Sequence, residues 1–149
     1  MRYLAILILS LVLIFSAGCT SNQDEELRST IQDSLTPMQN ALSEVSRDTL
    51  NHDYAATVLS GRALETESEI WYHRISNIDD ISSEWQPVKM NYLRALDYFR
   101  MSGQKISNAG LSFQKGDLTS AITYAEGATA DLDSGSRYFD EAMAAIPKK

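Results

Sequence analysis

WQPVKMNYLRALDYFRMSGQKISNAGLSFQKGDLTSAITYAEGATADLDSGSRYFDEAMAAI, residues 85–146, is the stretch whose pattern decides the fold. Trp85, Tyr92, Phe99, Ile106 and Phe113 recur every seven residues, and beyond Lys115-Gly116-Asp117 the same interval carries Leu118, Ala125, Leu132, Phe139 and Ile146. A seven-residue apolar period is two helical turns, so each ladder marks one face of a helix. Folding the chain back at residues 115 and 116 sets Phe113 opposite Leu118, Ile106 opposite Ala125, Phe99 opposite Leu132, Tyr92 opposite Phe139 and Trp85 opposite Ile146. The pattern predicts a long antiparallel helical hairpin. Gly116 suits the left-handed position that ends one helix and Asp117 the N-cap that starts the next. Ser83 is the expected cap at the far end, with Pro87 tolerated in the first turn. So sustained a period favours axes crossing at about 20°, as in helical bundles.

Small residues run beside the ladders: Ser102, Gly103, Ala109 and Gly110 on the first helix, and Ala121, Ala128, Gly135 and Ala142 on the second. Each glycine inside a helix costs roughly 0.5–1 kcal/mol relative to alanine. Gly103, Gly110, Gly127 and Gly135 therefore imply either close helix packing, the favoured reading, or deliberate softness. Arg94, Asp97, Arg100, Gln104, Thr119, Glu126 and Asp133 are the expected solvated face.

Upstream, the spacing predicts two further helices. One begins near Asp24 to Leu27 and continues to about Thr49, with Ile31, Leu35, Met38, Leu42 and Val45 at steps of four and three. Thr36-Pro37 either starts the true helix or kinks a longer one. The other runs from Asp53, its expected N-cap, to Ser76, with Leu59, Ala63, Leu64, Ile70 and Trp71 as apolar positions. Asn77 to Ser82 reads as a loop. No strand-like alternation of β-branched residues appears, so the expected fold is all-α: an antiparallel four-helix bundle with a long C-terminal helical hairpin.

The first twenty residues are of another kind. Arg2 precedes an apolar run from Tyr3 to Phe15, and Ser16-Ala17-Gly18-Cys19 leads into polar Thr20 and Ser21. A positive residue, an apolar segment and small residues before a cut form an export signal. Ala17, Gly18 and Cys19 resemble the lipobox of prokaryotic lipoproteins, bacterial or archaeal, with Ser16 where leucine is usual. That resemblance implies cleavage before Cys19 and lipid on its thiol. The expected organisation is a signal peptide at 1–18, lipidated Cys19 and a short linker at 19–26, and the helical domain at 27–146. Ordinary secretion with cleavage elsewhere, which leaves Cys19 discarded or a lone free thiol, is the least economical reading; an uncleaved membrane helix is the chief alternative to lipidation, because Tyr3 to Gln23 carries no charge and about 20 residues span a bilayer. Both leave the domain outside the cell membrane.

Cleavage would leave 131 residues, enough for one domain. Arg2 is the only charged residue lost, so 12 Lys and Arg would face 20 Asp and Glu, a net charge near −8. Such a balance argues against nucleic acid and anionic lipid surfaces as partners. With Cys19 the only cysteine, no intrachain disulfide, thiolate zinc site or redox pair is available.

Motifs that specify chemistry are missing from the helical part. The di-iron pattern of bundle proteins requires Glu-x-x-His on two helices, and neither His52 nor His73 has it. Glu65, Glu69 and His73 share a helical face without a located further ligand, a pattern that equally suits helix-stabilising pairs. No nucleophile elbow or phosphate loop occurs. Trp71, Tyr72, Trp85, Tyr92, Tyr98 and Phe99 suit a helical core or the lining of a small-ligand pocket. Tyr98, Tyr124 and Tyr138 suit a half-exposed aromatic edge. Gly116-Asp117-Leu118 with Ala121 and Ala128 resembles one helix of a tetratricopeptide repeat, but both helices are about 30 residues and no second copy follows. Tyr92 to Phe99 with the Gly-Asp-Leu turn is similar to uncharacterised helical-bundle lipoproteins, which implies the fold and no activity.

The sequence thus predicts no catalytic residue, no cofactor and no metal site, and names Cys19 as the one modified residue. Expected is a non-enzymatic interaction or structural module, lipid-anchored on the extracytoplasmic side of the membrane, with a protein partner in the envelope. A small-ligand binding or sensing bundle is the alternative.

Overall fold

The computed structural model describes residues 22–147: four helices, α1 (Asn22–Leu50), α2 (Tyr54–Ser76), α3 (Gln86–Gln114) and α4 (Leu118–Ala144). They form an antiparallel four-helix bundle, with no strand among the described residues. Backbones pack along α1–α2, α2–α3 and α3–α4. One core links Leu27, Ile31, Met38 and Val45 of α1 to Leu64, Trp71 and Ile75 of α2, to Tyr92, Leu96 and Phe99 of α3, and to Phe139 of α4.

Two turns share one design. His52 and Gly116 have φ of 54° and 74°, the left-handed conformation that ends helices. The next residue, Asp53 or Asp117, donates its backbone N–H to Asp48 O or Ser112 O, at 3.2 and 3.0 Å. Its carboxylate then accepts from Ala56 N at 3.0 Å or Ser120 N at 3.1 Å, capping the helix that follows. Hydrogen bonds from Ser120 hold the Asp117 carboxyl below its ordinary pKa. Both N-caps are where the sequence places them.

Other local expectations are corrected. Asn22–Glu26 are the first turns of α1 rather than linker, with Asp24 already buried. Of the two readings open at Thr36-Pro37 the longer helix holds, because α1 passes through Pro37 without a new start. Proline removes the bond to the carbonyl four residues earlier, which belongs to exposed Asp33, where water can replace it. At α3 the N-cap is Trp85 with no side-chain bond, not Ser83.

The largest revision concerns which faces are buried. On α4 the inner row is Ala121, Ala128, Gly135 and Ala142, while Leu118 is 59% exposed and Ala125 is exposed. Of the larger α4 ladder Phe139 is buried, its ring 5.8 Å from that of Tyr92. On α2 the buried face holds Thr57, Val58, Ser60, Gly61, Leu64, Ser68, Trp71 and Ile75, and Leu59 and Ile70 turn outward. The cause is close approach of backbones. A Cβ built on Gly61 would lie 2.7 Å from Ser107 N, and one on Gly103 2.6 Å from Glu65 N and from Gly61 O. Leucine does not fit between helices at that distance. The hydroxyls do, because Thr57, Ser60 and Ser68 donate to their own helix carbonyls.

Candidate functional site

Cys19 lies outside the described residues, three positions before Asn22. At the bundle end where α1 begins, buried Asp24 accepts a hydrogen bond from Ser82 N at 2.8 Å. Ser82 belongs to the α2–α3 loop, so the start of α1, that loop and the end of α4 share one end of the bundle. Two loop isoleucines, Ile78 and Ile81, are buried in the core together with Trp85. Lys89 reaches back from α3 and donates to Ser76 O at 3.1 Å and to Ile78 O, with Asp79 at 3.8 Å. A cation is favourable there because α2 ends in unpaired carbonyls. The end of the bundle at which α1 begins is therefore cross-tied through three segments.

Candidates for chemistry are dispersed. Glu69 and His73 approach to 3.9 Å, with both side chains more than half exposed. His52 lies in the turn before α2, about 30 Å from His73 along the helix at 1.5 Å per residue. Among the described residues no group of three or more His, Cys, Asp or Glu is arranged to hold a metal ion.

The aromatic residues divide by environment. Trp71, Trp85, Tyr92 and Phe99 are buried in the core, whereas Tyr72 is 37% exposed. Tyr98 stacks on Tyr138 at 5.6 Å, and the guanidiniums of Arg94 and Arg137 lie over the Tyr138 ring at 5.5 and 4.5 Å. Tyr124 stands about 21 Å from Tyr138 along α4, so the expected edge is interrupted.

The interior hydroxyls are engaged. Ser34 Oγ donates to Ile31 O at 2.6 Å, which commits its one proton, so the 2.6 Å bond to Tyr92 is donated by the phenol. Burial pushes the Tyr92 pKa up to about 12, with the Ser34 bond acting in the opposite direction. Ser102 Oγ donates across to Ala128 O at 3.0 Å, and Lys105 pairs with nearly buried Asp131 at 2.6 Å. Among the described residues every buried side-chain N or O has a hydrogen-bond partner.

Sequence reasoning did not single out Asp24, Lys89 or the Lys105–Asp131 pair. Folding the hairpin at residues 115 and 116 sets Lys105 opposite Glu126, more than a helical turn from Asp131, so the register alone does not announce that pair. Asp24 and Lys89 bond to loop backbone, which leaves no side-chain pattern to read. No described helix is long and apolar enough to cross a membrane. Comparison with protein-family models, with curated proteins and with solved structures finds no match to this chain.

Proposed function

We propose that the protein is an exported lipoprotein, held at the extracytoplasmic face of a membrane by lipid on Cys19, and that its bundle is a non-enzymatic interaction or structural module of the cell envelope. The observation that carries this reading is the Arg2, apolar and Ala17-Gly18-Cys19 sequence, followed after only Thr20 and Ser21 by α1. Three Cα steps of about 3.8 Å reach at most about 11 Å, so the anchor holds the bundle against the headgroups. Two acyl chains, at roughly 0.8 kcal/mol per buried CH₂, make attachment effectively stable where one does not. From that end α1 extends about 44 Å, at 1.5 Å per residue, and carries the His52 and Gly116 turns away from the membrane. A structural role is supported by the interior polar groups, because Ser34, Thr57, Ser60, Ser68 and Ser102 are each spent on a backbone carbonyl.

The test is intact mass and fatty-acid labelling of membrane-associated protein, with Cys19→Ser for comparison. The expected result is a diacylglycerol-sized addition on a chain beginning at Cys19 and no label in Cys19→Ser. An unlabelled, full-length chain that stays in the membrane in both forms would overturn the lipid anchor in favour of a transmembrane one.

A further inference from the structure

Three of the four helices are joined by close backbone approach. A Cβ on Gly61 or Gly103 would meet backbone of the facing helix at 2.6–2.8 Å, one on Gly110 would lie 3.0 Å from Tyr54 O, and one on Gly135 2.7 Å from the Phe99 ring. These approaches zip α2 to α3 and α3 to α4. Helix α1 has none: Asn22–Leu50 contains no glycine, and its extended backbone packing is with α2 alone, less close than in the other two pairs. It is held by side chains instead. Leu27, Ile31, Met38 and Val45 reach the core, but Asp24, Ser34 and Asp48 lie on the same buried face. Asp24 ties α1 to Ser82 N at 2.8 Å and Ser34 ties it to the Tyr92 phenol at 2.6 Å. Such bonds are exchanged for water when a helix leaves, so these positions hold α1 less firmly than leucine would. Pro37 also removes one bond from the middle of the helix. The other outer helix is the contrast. Beside its inner row of small residues, α4 accepts a bond from Ser102 at Ala128 O and pairs Asp131 with Lys105.

We propose that α1 is a releasable strap, which leaves the bundle as one unit while α2, α3 and α4 stay folded together. Pro37 divides α1 into two stretches of about 15 residues, the length at which a lone helix is marginal in water, so released α1 melts. The consequence rests on the reading that Cys19 carries the anchor. Held as a helix, α1 spans about 44 Å beside the other three; melted, its residues and the following turn reach about 100 Å at roughly 3.3 Å per residue. Release therefore converts the strap into a tether and lets α2–α4 move from the headgroups out into the envelope.

Hydrogen exchange of the full-length chain, read by mass spectrometry on peptides from the middle of each helix and corrected for intrinsic rates, tests the strap. It reads the bundle whether or not Cys19 carries lipid, so its failure is distinct from failure of the anchor. Exchange in α1 should be at least about tenfold faster than in α3 and in α4, because α1 opens at a lower free energy than the whole bundle. Gly103→Ala weakens a contact between α2 and α3 that the released state keeps. It should therefore speed exchange in α3 about tenfold and leave α1 within about twofold of the parent. Ser102→Ala, a milder change that deletes the bond to Ala128 O, should do the same to a smaller extent. Exchange in α1 less than tenfold faster than in α3 and α4, or equal acceleration of α1 and α3 in these variants, would overturn the proposal, because the four helices would then open as one.

Discussion

Gly103→Ala and Gly127→Ala are the same chemical change in two helices of one bundle, and the structure predicts opposite signs for them. Glycine inside a helix costs roughly 0.5–1 kcal/mol relative to alanine, so both variants start with that gain. At Gly127 the new Cβ meets the Lys105 side chain, with Cδ at 3.2 Å and Cε and Nζ at 3.6 Å. A flexible lysine stem yields by a few tenths of an ångström, and the gain of about 0.5–1 kcal/mol survives. At Gly103 the Cβ falls 2.6 Å from Glu65 N and from Gly61 O, both backbone atoms. Restoring an ordinary separation of 3.4 Å requires α2 and α3 to part by about 0.8 Å. Overpacking of this kind costs typically 1–3 kcal/mol, so Gly103→Ala should lose about 1–2 kcal/mol net. The variants should then differ by about 2 kcal/mol, or roughly 30-fold in the folding equilibrium. Urea denaturation followed by circular dichroism reads this directly, provided the m values agree. Gly61→Ala with Gly103→Ala should cost less than the two singles together, because one separation of the helices relieves both clashes. Equal or greater stability of Gly103→Ala relative to the parent would refute the argument, since the α2–α3 approach could not then be as close as described.

Two further expectations concern groups that the bundle holds in unusual states. Because the Tyr92 pKa is pushed up to about 12 from an ordinary 10, the folded state keeps this proton where the unfolded state loses it. Stability is therefore undiminished below pH 10 and falls between pH 10 and about 12, by about 2–3 kcal/mol from this group; Tyr92→Phe should flatten that part of the profile, and parallel loss in both proteins would contradict it. His52 occupies a left-handed conformation that glycine takes without steric cost. His52→Gly should accordingly stabilise by about 0.5–1 kcal/mol, a rise of roughly 2–4 °C in melting temperature, whereas an unchanged or lower midpoint would show that the turn is relaxed with histidine in place.

What could be read in the chain follows the range of the forces involved. Asp53 and Asp117 were legible as N-caps because a cap is a contact between a side chain and backbone three residues away. Gly116 was legible for the same reason. His52, which takes the equivalent position in the other turn, has no such signature, since histidine is not the residue a left-handed site favours. Ser83 was misplaced as a cap because Trp85 starts α3 inside a loop already fixed by burial of Ile78 and Ile81. Cys19 is legible in the sequence alone, and the described residues begin beyond it.

By itself the sequence determined four helices, their antiparallel order, the hairpin turn at Gly116 and the seven-residue period of its faces, all of which come from local geometry and the helical repeat. Only the tertiary structure decided phase. Two stripes of equal period run along α4, and the one with the larger side chains is the more hydrophobic, yet the row of Ala121, Ala128, Gly135 and Ala142 is the one that faces α3. Likewise Gly61, Ser60 and Ser68 of α2 are buried while Leu59 is 67% exposed. Period is a property of one helix. Which stripe turns inward depends on how near two backbones come, and where they nearly touch, small residues win over large ones because nothing larger fits.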